Sequence, residues 1–256
     1  MTHAQRATVR WLFGPAALCL LLGVAGCIKV GATLDLNADG SGALKIRYEL
    51  VETAMARMDA ARNLTRRLES SAVNSNAVAV AATNAIPLLF DEKKIRDAVA
   101  PWADRGVRIK SLKVESQREW QTVQMDLAFP DLRSVFDLPF FRTCAIALQK
   151  TEQGDYRLSL QGPPLGREGD MPEMSDTAIQ RDLMSLLAGL NVAVTVNTPS
   201  PIVATTASRP GTRSASWTFD LERDGQALQK LNRQPLTVTF SGIGMNLPEF
   251  THRASP

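Results

Sequence analysis

The residues best placed to do chemistry lie near the start of the chain, in Leu22-Gly23-Val24-Ala25-Gly26-Cys27. A thiol preceded by small residues suits two consecutive reactions. The sulfur can take a diacylglyceryl group as a thioether, and a peptidase that needs little side-chain bulk can then cut before the modified cysteine. Val24, Ala25 and Gly26 are the peptidase-recognition residues in this reading, and Cys27 is the lipidation site. The segment upstream fits. Arg6 and Arg10 form a charged start without acids, and an apolar run follows from Trp11 to Leu22. That is the pattern of a secretory signal, and the run is short for a membrane span of about 20 residues, with Pro15 inside it. Residues 1–26 are therefore read as a removable export signal.

Few other chemistries fit the remaining inventory. The histidines are His3 and His252, and the cysteines are Cys19, Cys27 and Cys144. Such a set cannot build a zinc finger, a disulfide framework or a multi-histidine metal centre. Without residues 1–26 the 256-residue chain keeps only His252, Cys27 and Cys144 of these, and its formal charge falls from +3 to +1. Neither value argues for nucleic acid. Asp35-x-Asn37-x-Asp39-Gly40-x-Gly42 imitates the first half of a calcium loop, but the twelfth position is Ile46, which has no carboxylate. A hairpin turn accounts for it better. Glu168, Asp170, Glu173 and Asp176 cluster in a Pro/Gly-rich stretch and at a helix start, where acids favour the helix dipole. No catalytic residue, metal or cofactor is assigned.

Elements that would position these residues follow from hydrophobic period. Residues 29–36 and 43–50 alternate around the turn-rich 37–42 and predict a β-hairpin. Helices are expected over 51–70, from the Asp91 cap to Arg105 with Pro101 kinking or splitting it, and over 175–190. Strands are expected at 107–115, 120–129, 142–150, 155–161, 191–197, 214–221 and 236–242. Leu138-Pro139-Phe140-Phe141 reads as core packing, and Cys144 as a buried thiol. The order predicts an α+β fold: one twisted, mostly antiparallel sheet with about three helices packed on one face. The expected organisation is 1–26 signal, 27–246 a single domain anchored through Cys27, and 247–256 a frayed tail. Because a strand begins by about Val30, the six steps from Cys27 to Thr33 span roughly 20 Å at most. The domain should sit close to the lipid surface. Lys29, Lys45, Arg47, Arg108 and Lys110 punctuate the strands and are candidate contacts for anionic headgroups.

The run ending in Cys27 matches the bacterial lipobox. With the Asp39-Gly40-Ser41-Gly42 turn, Val192-x-Val194-x-Val196-x-Thr198-Pro199 and the strand Ser214 to Phe219 carrying Trp217, it resembles LppM-type envelope lipoproteins. Ser200-Pro201-Ile202 and Thr205-Thr206 stand where those proteins have Gly and Asn. The resemblance implies an α+β envelope domain without an enzymatic site and with affinity for lipids or glycolipids. Ile28, and not an aspartate, follows the cysteine, which points to the outer membrane. The expected partner is the membrane, through the lipid on Cys27, with a further lipid or envelope protein as ligand. A scaffold role and a carboxylate-dependent hydrolase are the alternatives.

Overall fold

The computed structural model describes residues 28–54, 90–136, 138, 141, 144–161, 189–224, 226–227, 230–231 and 234–252. The first hairpin forms as expected, with β1 at Ile28–Leu36 and β2 at Gly42–Val51. Asn37–Ser41 closes it: the Ser41 carbonyl accepts from Asn37 N at 2.8 Å, and Gly40 takes a φ of 88° that favours glycine. A β-carbon on Gly42 would run into the Asp35 carbonyl, so the strand can start there only on glycine. Helix α1 (Glu92–Val99) starts on Asp91, whose Oδ1 accepts from Lys94 N at 3.0 Å. Pro101 splits this element: the α-helix stops at Val99 and Ala100–Arg105 continues as a 3-10 helix.

Strands β3 (Arg108–Gln117) and β4 (Trp120–Phe129) follow, then a short helix α2 (Leu132–Phe136). The remaining strands are β5 (Ala145–Lys150), β6 (Tyr156–Gln161), β7 (Leu190–Asn197), β8 (Ile202–Thr205), β9 (Arg209–Pro210), β10 (Ser214–Asp220), β11 (Leu236–Phe240) and β12 (Phe250–His252). The expected helices over 51–70 and 175–190, and the acidic cluster at 168–176, fall almost wholly outside the described residues. Glu52–Ala54 is helical at the start of the first.

The single-sheet α+β expectation is corrected by the sheet topology. The described chain is mostly β and forms two sheets, a seven-stranded one ordered β3-β4-β2-β1-β7-β10-β9 (sheet A) and a five-stranded one ordered β12-β5-β6-β11-β8 (sheet B). Pairing is antiparallel except between β1 and β7. One physical reason lies in the connections. After β4, α2 carries the chain from sheet A to sheet B, and the chain changes sheet again between β6 and β7, β7 and β8, β8 and β9, and β10 and β11. The other lies in the core. One buried cluster contains Leu34, Met125, Leu127 and Trp217 from sheet A and Ile146, Leu158, Val238 and Phe240 from sheet B. The apolar face of sheet A is thus closed mainly by a second sheet, with Ile95, Val99, Val135 and Phe136 of the helices adding to the same core.

Thr206 stitches the sheets together. Its hydroxyl accepts from Trp217 Nε1 at 3.2 Å and from Thr237 N at 3.0 Å. The chain after 246, expected to fray, is packed through residue 252. Leu247 is 3% exposed, its amide donates to the buried Tyr156 hydroxyl at 2.9 Å, and Phe250–His252 pairs with β5 as β12. Leu138 is fully buried, Phe141 meets Phe136 edge-on with centroids 5.2 Å apart, and Cys144 is half-buried against the core.

Tyr156→Phe removes the oxygen that satisfies the Leu247 amide while leaving the ring stacked on Phe240. Urea unfolding should show a loss of about 1–3 kcal/mol, the cost of a buried unpaired donor. An unchanged midpoint would mean that the Tyr156–Leu247 hydrogen bond contributes nothing to the stability of the domain.

Candidate functional site

Alternation divides sheet A into two faces. Leu34, Leu36, Leu44, Tyr48 and Trp217 point into the core, and Lys29, Asp35, Lys45, Arg47 and Glu49 point away from it. Of the five basic residues singled out in the sequence, Lys29, Lys45 and Arg47 therefore share the polar face. Arg108 is placed on it by register, opposite Ala128, which pairs with Ala43. Lys110 sits in the bulge between Ile109 and Ser111 of edge strand β3, where bulges and lysines discourage pairing with a further strand.

Acids interleave with these bases. Lys29 Nζ lies 3.5 Å from Glu49, Lys45 Nζ 3.0 Å from Asp35, and Arg47 pairs with Glu49 as well. Lys113 and Glu115 are 2.7 Å apart on β3, and Asp126 on β4 accepts from Ser111 Oγ at 2.9 Å. The face is a lattice of opposite charges. A purely basic surface would attract anionic lipid by about 1 kcal/mol per Lys or Arg, and acids at similar density offset that attraction.

The tightest polar cluster joins three strands. Asn197 Nδ2 on β7 donates to Asp35 Oδ1 at 2.6 Å, and Lys45 Nζ on β2 donates to Asp35 Oδ2 at 3.0 Å. Partial burial pulls the Asp35 carboxyl up, but the Asn197 hydrogen bond, the Lys45 hydrogen bond and the Lys45 charge outweigh it and hold the group below the ordinary carboxylate value. Lys45 is correspondingly raised by the Asp35 hydrogen bond and charge. This geometry takes Asp35 out of the calcium-like motif. The other members serve the turn: Asp39 accepts from Ser41 Oγ and N at 2.7 and 3.0 Å, and Asn37 donates to Ser41 Oγ at 3.0 Å. The Ser41 hydroxyl, then its amide, hold the Asp39 carboxyl low. Among the described residues no group of three His, Cys, Asp or Glu side chains is placed to hold a metal ion, and no helix is long and apolar enough to cross a membrane.

A second grouping went unseen in the sequence. Lys29 Nζ stands 4.7 Å from the centroid of the Trp120 ring, over its face. Trp120 pairs with Val51 at the end of β2, beside the start of β1. The two residues are far apart in the chain, and neither belongs to a spacing motif, so only the sheet register brings them together. Val24, Ala25, Gly26 and Cys27 lie outside the described residues. Ile28, peptide-bonded to Cys27, is buried and opens β1.

No protein-family model and no curated protein matches the chain. Solved structures similar to the chain include one of a bacterial protein. The folded domain of LppM from Mycobacterium tuberculosis, determined by NMR, aligns at 10% identity and a TM-score of 0.41, over 85% of this chain and 91% of that one.

Because the Asp35 carboxyl is depressed in the folded state, its contribution to stability is full above the unfolded carboxylate value near 3.9 and is lost as pH falls through the folded value. Asp35→Asn should therefore lower the urea midpoint at neutral pH, with the gap from wild type closing as the pH drops below about 4. A gap independent of pH would show that the charge on Asp35 does not stabilise the three-strand cluster.

Proposed function

We propose that the chain is a lipid-anchored bacterial envelope lipoprotein, diacylated on Cys27 after removal of residues 1–26, whose two-sheet domain binds an amphiphile close to the membrane surface and has no enzymatic role. The observation that carries this reading is the position of β1. It begins at Ile28, directly after the proposed acylated residue, and is the central strand of the seven in sheet A. β1 is laddered to β2 from Ile28↔Leu50 to Leu36↔Gly42 and to β7 from Ile28↔Leu190 to Asp35↔Asn197. Two acyl chains suffice for stable anchoring where one gives only marginal binding. A domain joined to them through its central strand stays at the surface that holds them.

An amphiphile as ligand is supported by the core-facing side of sheet A. Val30, Ala32, Ile46, Val192 and Val194 share that side with Leu34, Tyr48 and Trp217, yet they are only half-buried. Acyl chains suit such a strip, since apolar surface taken from water contributes about 25 cal/mol per Å². A protein partner is the second reading, favoured by Val203 on edge strand β8 at 60% exposure and Ile243 at 90%. The outer membrane is the proposed location.

Metabolic labelling with an alkyne fatty acid tests the anchor. The wild-type protein should be labelled and shortened by the signal, and Cys27→Ala should remain unlabelled and full-length. Label retained in Cys27→Ala would reject the assignment. Native mass spectrometry of residues 28–256 tests the ligand: co-purified lipid is expected, and a clean apo mass after gentle extraction counts against the lipid-binding role.

A further inference from the structure

Register along sheet A fixes how far each basic residue lies from the strand end bonded to Cys27. Lys29 is one step from Ile28, Arg47 is level with Gly31, Lys45 is level with Thr33, and Arg108 is level with Asp35 through Ala128 and Ala43. At about 3.3 Å per residue these positions extend to roughly 23 Å from Ile28. The headgroup layer of one leaflet is only about 5–8 Å deep. All of them can meet headgroups only if the polar face lies flat on the bilayer, and that orientation would also press Asp35, Glu49, Glu115 and Asp126 against the lipid. Of these four, an upright domain brings only Lys29 to the headgroups, with Arg118 of the β3–β4 turn at the same end.

The upper and lower ends of sheet A also differ in what they offer a bilayer. The end where β1 starts carries Trp120, half-buried, with Lys29 over its ring and Val51 as its cross-strand neighbour. Tryptophan with an adjacent lysine is the side-chain pair best suited to a membrane interface, where an apolar ring and a wet cation are both satisfied. Exposed charges of both signs lie at this end, Glu52, Glu119 and Glu222 with Arg118 and Arg223, so no net positive charge gathers there and the attraction does not depend on one. Trp102 lies at the opposite end, its carbonyl accepting from Val107 just before β3 begins, and Trp217 is buried between the sheets at 4% exposure.

We propose that the domain stands end-on upon the bilayer that carries the Cys27 lipid, with Trp120 and Lys29 seated in the headgroup region and the charged face of sheet A in water. This placement rests on the lipoprotein reading. It assigns Trp120 a membrane contact that does not depend on anionic lipid.

The mature lipoprotein, reconstituted into phosphatidylcholine vesicles with shallow or deep spin-labelled lipids, separates the possibilities through its three tryptophans. Shallow labels should quench the emission of wild type and of Trp102→Phe, and quenching should vanish in Trp120→Phe. Replacing part of the lipid with phosphatidylglycerol, or raising the salt, should leave the result unchanged. Quenching that persists in Trp120→Phe or disappears in Trp102→Phe would overturn the placement. So would quenching that grows with phosphatidylglycerol and fades with salt, which marks a flat, charge-driven orientation. Coincident thermal melts of the variants exclude misfolding as the cause. The mass of the N-terminal peptide of the same sample reports the acyl group: its absence rejects the lipoprotein reading itself, whereas an acylated protein with unquenched Trp120 rejects only the end-on placement.

Discussion

The strand that follows Cys27 is held on both sides. β1 is the middle strand of sheet A, hydrogen-bonded to β2 along one edge and to β7 along the other. Residues cannot be drawn out of it to lengthen a tether without opening two ladders at once. A peripheral first strand could peel away from its one neighbour, but a central one cannot. The β1–β7 pair is also the parallel seam that joins the two N-terminal hairpins, ordered β3-β4-β2-β1, to the later β7-β10-β9, so everything in sheet A is referenced to the residue next to the proposed anchor.

From that seam the rest of the molecule follows by burial. Sheet A turns Leu34, Met125, Leu127 and Trp217 to one side, and sheet B covers them with Leu158, Val238 and Phe240. A polar joint then fixes the two sheets to each other, the Thr206 hydroxyl between Trp217 and Thr237, and the Tyr156 hydroxyl on the Leu247 amide holds the segment before β12 onto sheet B. Among the described residues the opposite face of sheet A has no such cover, and it is stabilised by pairing acids with bases across neighbouring strands, with Asp35 held between Asn197 and Lys45. Individually such exposed pairs contribute little, about 0–1 kcal/mol. Their larger effect is on what the face can attract, because a charge lattice has no preference for an anionic surface.

Local signals in the sequence carried the strands but not their assembly. Alternation at 29–36 and 43–50 and the turn formers between them locate β1 and β2 within a residue, and Pro101 marks where α1 gives way to the 3-10 helix. The same alternation says which side of a strand is apolar without saying which sheet the strand joins. That is why two sheets sharing one core read as one sheet covered by helices. β8, β9 and β12 escaped because strands of two to four residues have too few alternations to show a period. The proposed lipidation of Cys27 rests on adjacent residues alone and is a reading of the sequence. The pairing of Lys29 with Trp120 could not be read that way, because it depends on β4 lying beside β2 and β2 beside β1.

Neutron reflectometry of the intact lipoprotein on a supported bilayer tests most directly the claim that the folded domain is joined to its lipid without a tether. The account predicts protein density continuous with the headgroup layer. A water-filled gap of roughly 20 Å or more between headgroups and protein, the reach of about six extended residues, would contradict it.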